Sequence, residues 1–216
     1  LNDTLYNSSQ SVNISQSVSY SDTLNYDFEN YSVPTSDTTL FDNWAGEHII
    51  ELYEGSNRIK MNTDTPVINF IGTNVAGFAF KEVPYTATDI SIEYDLTYRS
   101  NTYLILRASP NSNTEIGTGY FLRFGGGGIV LSRLDGSGTN PTSIGEVFEY
   151  NLDNLQNGDT RNFKFVLTGQ NLKIYEEGEI IGNYTFSGTT YETGTIVHAH
   201  NLGSGYMDNI KIMFNQ

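Results

Sequence analysis

Six residues in the middle of the chain have side chains of the kinds that hold polar ligands such as sugars. They are two carboxylates, two arginines and two aromatic rings: Glu93, Asp95, Tyr103, Arg107, Phe121 and Arg123. Arginine offers a rigid two-pronged donor to carboxylates, sulfates or vicinal hydroxyls, and aromatic rings stack on sugar faces. Four of the six arginines fall between positions 99 and 133, which concentrates this chemistry in one region. These residue types predict a binding surface.

The same residues have a plainer interpretation. Arginines on one strand often pair with carboxylates on a neighbouring strand of a solvated sheet. Arg107 and Arg123 would then neutralise Glu93 and Asp95, and the surface would bind nothing. Composition leaves both interpretations open.

A second candidate lies near the end of the chain, where YMDNIKIMF (206–214) reads as a strand interrupted by Asp208 and Asn209. A charge inside a strand is costly unless something pairs with it. Asp208 either accepts backbone N–H groups at a turn or faces a cation.

The elements that position these residues are strands. From Thr23 onward apolar residues recur with a period of two, and no window shows a helical pattern. Turn sequences such as 54–57, 109–111, 135–138 and 168–171 separate the segments. Many short strands with such turns predict an all-β, antiparallel two-sheet β-sandwich.

Alternation along the strands assigns their faces. In 90–98 the apolar set Ile90, Ile92, Tyr94, Leu96 and Tyr98 is expected in the core. Applied in the same way to 103–108 and 120–124, the alternation predicts that all six candidate residues lie together on one exposed sheet.

Residues 1–22 are polar and rich in serine and asparagine. Such a stretch buries too little apolar surface to offset the entropy of ordering, so it predicts a linker or docking segment. The predicted domain is 23–216.

The overall charge narrows the range of partners. The 216 residues carry 25 acidic and 11 basic side chains, a net charge of −14, and no cysteine. Nucleic acid and anionic lipid both demand a cationic surface, so neither is expected as a main partner. No apolar run is long enough for membrane insertion. Abundant Tyr, Gly, Ser, Thr and Asn, with five N-x-S/T sequons, point to an extracellular or cell-surface location.

Three stretches resemble a known group. They are YLILRAS followed by GYFLRFGGGGIVLSRLDG, then FKFVLTGQNLKIYEEGEII, and the closing GYMDNIKI. Together, over roughly 24–214, they resemble the concanavalin A-like jelly-roll sandwiches, which include laminin-G-like domains and fructan-binding-type carbohydrate-binding modules. The resemblance implies a jelly roll.

The resemblance also implies a metal ion. Many such modules begin with a short Phe-Glu strand and end with an Asp-Asn strand, which lie together and hold calcium. The matching residues here are Phe28-Glu29 and Asp208-Asn209, with Asp27 as a further oxygen donor. Calcium binds six to eight oxygens, so a structural calcium site at Asp27, Glu29 and Asp208 is expected.

Catalysis is less well supported. Laminarinase-like enzymes of this fold carry E-x-D-x-x-E on one strand, but Tyr98 replaces the final glutamate after Glu93 and Asp95. Hydrolysis of glycosides usually needs two carboxylates across a cleft. No G-x-S-x-G elbow is present either.

The leading hypothesis is a non-catalytic carbohydrate-binding module, lectin-like, within a larger multidomain surface protein. It would bind a glycan or polysaccharide, and the arginines favour an acidic or fructose-type sugar. The alternatives are an adhesin or spacer domain that binds a protein or no ligand, and a glycoside hydrolase-like enzyme on the same fold.

Overall fold

The computed structural model describes most of the domain that the sequence predicts. The described residues are 18–34, 41–45, 47–62, 68–70, 73–98, 102–112, 115–125, 128–135, 148–151, 155–188, 190–200 and 205–216. They form strands, turns and loops, with no helix, and therefore include no helix that could cross a bilayer. The expectation of an all-β chain is confirmed.

The described part of the chain contains sixteen strands, numbered in chain order. They are β1 Asp22–Tyr26, β2 Phe41–Ala45, β3 Glu47–Tyr53, β4 Ser56–Asn62, β5 Ile68–Phe70, β6 Thr73–Phe80, β7 Ile90–Thr97, β8 Thr102–Ser112, β9 Glu115–Gly125, β10 Gly128–Asp135, β11 Phe148–Asn151, β12 Thr160–Thr168, β13 Asn171–Glu176, β14 Glu179–Thr185, β15 Thr195–His200 and β16 Tyr206–Phe214.

These strands form two antiparallel sheets. Sheet A has the order β14-β13-β12-β7-β16-β4-β3, and β1 pairs with β16 beside β4. Sheet B has the order β11-β10-β9-β8-β15-β6-β2, and β5 pairs with β6. The sheets are not closed into a barrel, so the predicted two-sheet sandwich is confirmed.

The core lies between the sheets and follows the predicted alternation. On β7 the side chains of Ile90, Ile92, Tyr94 and Leu96 are fully buried. Sheet B contributes its own apolar row from β8 and β9, listed here: Leu104, Leu106, Tyr120, Leu122 and Phe124. Since burial of a large apolar side chain stabilises by about 1.5–3 kcal/mol, this double layer is the main source of stability.

The first and last strands lie side by side. β1 pairs with β16 from Asp22 opposite Phe214 to Tyr26 opposite Ile210. The backbone amide of Ser21 also donates to the Asn215 side chain. Most of the predicted linker, 1–17, lies outside the described residues, so the linker stays a prediction.

A bulge explains the interruption in the closing strand. The pairing of β16 with β7 shifts register between Asp208 and Lys211, and Asn209 has a φ of +48°. A bulge inserts one extra residue and changes which face the following side chains reach. Met207 and Ile210 are therefore both in the core, while the two polar residues between them reach the outer face of sheet A.

Candidate functional site

The six predicted ligand residues do not share one surface. Glu93 and Asp95 lie on β7, which pairs with β12 and β16 in sheet A. Tyr103, Arg107, Phe121 and Arg123 lie on β8 and β9 of sheet B. The prediction of one exposed sheet is wrong because the chain crosses to the other layer between β7 and β8. The outer faces of the two sheets point in opposite directions.

The expected aromatic platform is not exposed. Tyr103 and Phe121 do share the outer face of sheet B, and their rings stack with centroids 5.2 Å apart. However, Tyr103 is only 2% exposed and Phe121 only 5%, whereas Arg123 is exposed. The rings belong to a second buried cluster, which comprises Ala79, Tyr103, Ile105, Ala108, Phe121, Leu134, Val197 and Ala199. Both rings are part of the protein interior.

Arg107 is separated from Arg123 by a local irregularity of β8. Its φ is +51°, and the pairing with β9 shifts register between Leu106 and Ser109. The guanidinium consequently reaches one end of the sandwich, where Nε donates to the Thr88 carbonyl at 2.8 Å. Nη1 donates to the carbonyls of Gly169 and Tyr191 at 2.6 and 2.8 Å. Arg107 thus ties three loops together.

Burial perturbs this arginine. Its side chain is 3% exposed, and desolvation lowers the pKa of Arg107 from the ordinary arginine value, while Tyr120 and Asp89 oppose the shift. Gly194 allows the neighbouring loop to pass this close, because a Cβ at that position would collide with the Arg107 backbone. The side chain lines a cavity of about 260 Å³, called the end pocket below, with Thr88, Asp89, Gly169, Gln170, Thr190, Tyr191 and Glu192.

Glu93 and Asp95 line a different depression, on the outer face of sheet A. This outer groove has a volume of about 390 Å³ and is lined by Asn25, Tyr26, Asp27, Glu93, Asp95, Asn162, Asn209, Ile210 and Lys211. Glu93 forms an ion pair with Lys164 at 3.4 Å. The cross-strand partner that the sequence suggested was an arginine, and the structure supplies a lysine.

Asp95 is held in the outer groove through both of its carboxylate oxygens. Its Oδ1 accepts a hydrogen bond from Asn162 Nδ2 at 3.0 Å, and its Oδ2 accepts one from Asn209 Nδ2 at 2.8 Å. Neither asparagine is among the sugar-binding residues predicted from the sequence. Asn209 carried a signal, because asparagine tolerates positive φ and sits where the apolar alternation fails. For Asn162, the only signal in the sequence was its expected outward position on β12.

Asp208 faces an arginine, a partner that no local sequence pattern indicates. Its Oδ2 lies 3.8 Å from Arg58 Nε, and its Oδ1 accepts a hydrogen bond from the backbone amide of Asn209 at 2.8 Å. Asp208 is directly opposite Asp95 on β7. Burial raises the pKa of Asp208 above its ordinary value, Asp95 adds to the shift, and Asn209, Ser56 and Arg58 oppose it.

The other two residues of the expected calcium site have protein partners as well. Asp27 Oδ1 accepts a hydrogen bond from the Glu29 amide, and Glu29 Oε1 accepts one from the Asn57 amide, both at 3.0 Å. Within the described part of the chain, no three His, Cys, Asp or Glu side chains cluster as metal ligands. The calcium site that the resemblance implies stays a prediction.

Comparison with known proteins supports the fold. No protein-family model matches the chain, and no curated protein matches it. Among solved structures, carbohydrate-binding module CBM66 from Bacillus subtilis superposes with a TM-score of 0.58 at 14% identity, covering 84% of this chain and 98% of that one. A native glycosidic hydrolase gives 0.56 at 10% identity, with 91% and 97% covered.

A third solved structure comes from a study of botulinum neurotoxin type C, whose cell entry depends on interaction with two ganglioside molecules. It gives a TM-score of 0.51 at 15% identity and covers 88% of this chain but 47% of that one. At such identities the likeness concerns the fold. The chain therefore has the concanavalin A-like sandwich fold, and the resemblance drawn from its sequence is confirmed at that level.

Proposed function

We propose that this protein is a non-catalytic carbohydrate-binding module that holds a glycan in the outer groove. The observation that carries the proposal is the superposition on almost the whole of a carbohydrate-binding module, 98% of its chain. The polar lining of the groove gives the proposal a site. Because fold alone does not determine a function, the side chains of the groove must support the proposal.

The outer groove offers the mixture of donors and acceptors that sugar hydroxyls require. Asp95 and Glu93 are acceptors, and Lys211 is a donor. Asp95 is held by two carboxamides before any ligand arrives, so its orientation costs no further side-chain entropy on binding. Preorganised acceptors of this kind suit a ligand rich in hydroxyl groups.

The charge of the groove favours a neutral glycan. Three carboxylates line it, Asp27, Glu93 and Asp95, against the single ammonium group of Lys211. An anionic sugar would be repelled here. The preference for an acidic sugar that the arginines suggested does not apply to the groove, because Arg107 and Arg123 lie on the other sheet.

The affinity expected for one such groove is modest. A shallow polar site recovers little free energy after the cost of association, and tandem copies or attachment to a larger protein would raise avidity. This is why we place the module within a multidomain protein.

A polysaccharide-binding assay tests the proposal. A glycan array identifies the ligand, and titration calorimetry then compares Asp95→Ala, Lys211→Gln and the control Glu179→Ala, which is exposed on β14 outside the groove. Removing a charged hydrogen-bonding partner should weaken binding about tenfold or more. The control should bind as the unaltered protein does, and all three should melt as cooperatively as it does.

Other results would favour the alternative functions. An array without hits supports the adhesin or spacer domain. Release of sugars from polysaccharides, lost in Glu93→Gln or Asp95→Asn, supports a glycosidase. Glycan binding that is unchanged in both groove variants contradicts the assignment to this groove.

An extracellular or cell-surface location belongs to the same proposal. The composition supports it, and so do the sequons at Asn30 and Asn183, since both asparagines are exposed. Recovery of the protein from the cell surface or the medium is the measurement, and retention in the cytoplasm would contradict it.

Structural calcium remains part of the proposal, drawn from the resemblance alone. Calcium at Asp208 would lie close to the Arg58 guanidinium, whose Nε is 3.8 Å from Asp208 Oδ2, so the two cations would compete for this carboxylate. A ligand that binds only the folded state raises the melting temperature. Melting curves with calcium and with a chelator should therefore differ, and identical curves would remove calcium from the proposal.

A further inference from the structure

The end pocket is separate from the outer groove and shares no lining residue with it. Three segments meet there: 88–89 before β7, 169–170 between β12 and β13, and 190–192 before β15. Arg107 enters from β8. At about 260 Å³ the pocket is smaller than the roughly 300–1,000 Å³ of sites for drug-sized molecules. A ligand of about one sugar ring matches this size.

The arginine in the pocket is fixed before any ligand binds. Three backbone carbonyls hold its Nε and Nη1. Nη2 lies 3.7 Å from Asp89 Oδ1, which is an ion pair but longer than a hydrogen bond. Asp89 is held in turn, because its Oδ1 accepts the Gly169 amide at 2.9 Å. The Arg107 guanidinium is thus a rigid donor and the Asp89 carboxylate a rigid acceptor. They lie side by side without a direct hydrogen bond between them.

The charges of the pocket select against ions. Glu192 adds a second carboxylate to that of Asp89, against one guanidinium. A sulfate, phosphate or uronate would meet two negative groups, and a simple cation would meet the arginine. A neutral vicinal diol satisfies both sides, since one hydroxyl accepts from Arg107 and its neighbour donates to Asp89. Thr190 and Gln170 add hydrogen-bonding groups to the lining.

We propose that the end pocket is a second binding site, which holds a single ring of a neutral saccharide through a vicinal diol placed between Arg107 and Asp89. The site does not depend on the outer groove, and either could exist without the other. Because the pocket is small, the ring is a free monosaccharide or the end of a chain.

NMR titration of the intact protein tests the proposal directly. The probes are neutral monosaccharides, their deoxy analogues that lack one hydroxyl of the diol, the matching uronic acids, and linear polysaccharides of the same sugar. Backbone amides of 88–89, 169–170 and 190–192 should shift with the neutral sugar. They should shift far less with the deoxy and uronic forms.

The two sources of the ring give different titrations. If the pocket takes chain ends, short oligosaccharides should bind better per unit mass than long chains, since they carry more ends. If it takes free monosaccharides, the polymer should leave these amides unchanged.

Variants add a second readout. Thr190→Val keeps the shape of the side chain and removes its hydroxyl, and Asp89→Asn removes the charge but keeps one acceptor. Loss of a hydrogen bond to a charged group should weaken binding about tenfold in Asp89→Asn, and Thr190→Val should lose less. The control Asp95→Asn, in the outer groove, should leave the end pocket unchanged.

The outcomes distinguish the two sites. Shifts confined to groove residues, or none at all with every neutral sugar tested, overturn the second site and leave Arg107 as a structural clamp. Shifts confined to the end pocket support the second site and contradict the groove. If the Asp89→Asn protein does not fold, the amide shifts measured on the unaltered protein still show whether the end pocket binds the sugar.

Discussion

The outer faces of the two sheets differ sharply although both come from alternating strands. On sheet A the outer face of β7 and its neighbours carries charged side chains that are at least partly exposed, among them Glu93, Lys164 and Lys211. On sheet B the corresponding face carries Tyr103 and Phe121, and both are buried. The outer face of sheet A is a solvated surface with a groove, whereas the aromatic residues on the outer face of sheet B belong to a second core cluster.

The sequence contains a sign of this difference. β7 alternates apolar with polar or charged residues, as a strand with one solvated face does. β8 instead reads Tyr103-Leu104-Ile105-Leu106, an apolar run typical of a strand buried on both faces. The prediction of a sugar-binding platform at Tyr103 and Phe121 did not take this apolar run into account. A continuous apolar run is a better indicator of whether a strand is buried than the presence of one residue type that is common in binding sites.

Tyr103→Ala should have the largest effect on the free energy of unfolding. It is the most direct test of the difference between the two outer faces. Truncation of a buried aromatic side chain costs about 3–5 kcal/mol, so urea unfolding should shift strongly toward lower denaturant. Lys211→Ala, on the outer face of sheet A, should change the free energy of unfolding by about 0.5 kcal/mol or less. If the Tyr103→Ala protein had normal stability but no longer bound glycan, the result would contradict this difference and support a sugar-binding platform on sheet B.

Arg107→Met should follow in size. It leaves three backbone carbonyls without their donor, and loss of hydrogen bonds to a buried charged group predicts a cost of about 3 kcal/mol. Arg123→Met is the matched control, since it makes the same replacement at an exposed position of the same sheet. Equal unfolding curves for the two variants would show that Arg107 does not clamp the loops.

Asp208→Asn should have the smallest effect, and its sign depends on pH. The pKa of Asp208 is raised in the folded state, so folding is favoured most when the carboxyl is protonated, below the ordinary value of about 3.9. That contribution is lost as the pH rises through the raised pKa. Asparagine mimics the protonated form.

We therefore expect the Asp208→Asn protein to melt at the same or a slightly higher temperature than the unaltered protein at neutral pH. The difference should shrink as the pH falls toward the aspartate range, which melting curves across pH measure. A marked loss of stability at neutral pH would mean that the Arg58 ion pair outweighs burial and the repulsion from Asp95.

Much of the fold was predictable, and much less of the site. The period-two pattern gave the strands, and the face of Ile90, Ile92 and Tyr94 was assigned correctly. Asp208 was recognised as needing a partner, but Arg58 is 150 positions away in the chain and became its neighbour only through the packing of β4 beside β16. Asn162 meets Asp95 in the same way. Such contacts depend on strand order, which local patterns do not encode.

The sequence by itself determined the all-β class, the two-layer core and the acidic character of the chain, because alternation and charge are local properties. Tertiary structure alone decided which outer face is open, since that depends on what packs over each sheet. It also decided where Arg107 points, because a bulge in β8 turns the side chain toward the loops. Those two facts explain why Glu93 and Asp95 lie in the outer groove and Arg107 in the end pocket. They also explain why Tyr103 and Phe121 belong to a buried cluster, whereas Arg123 is exposed on sheet B.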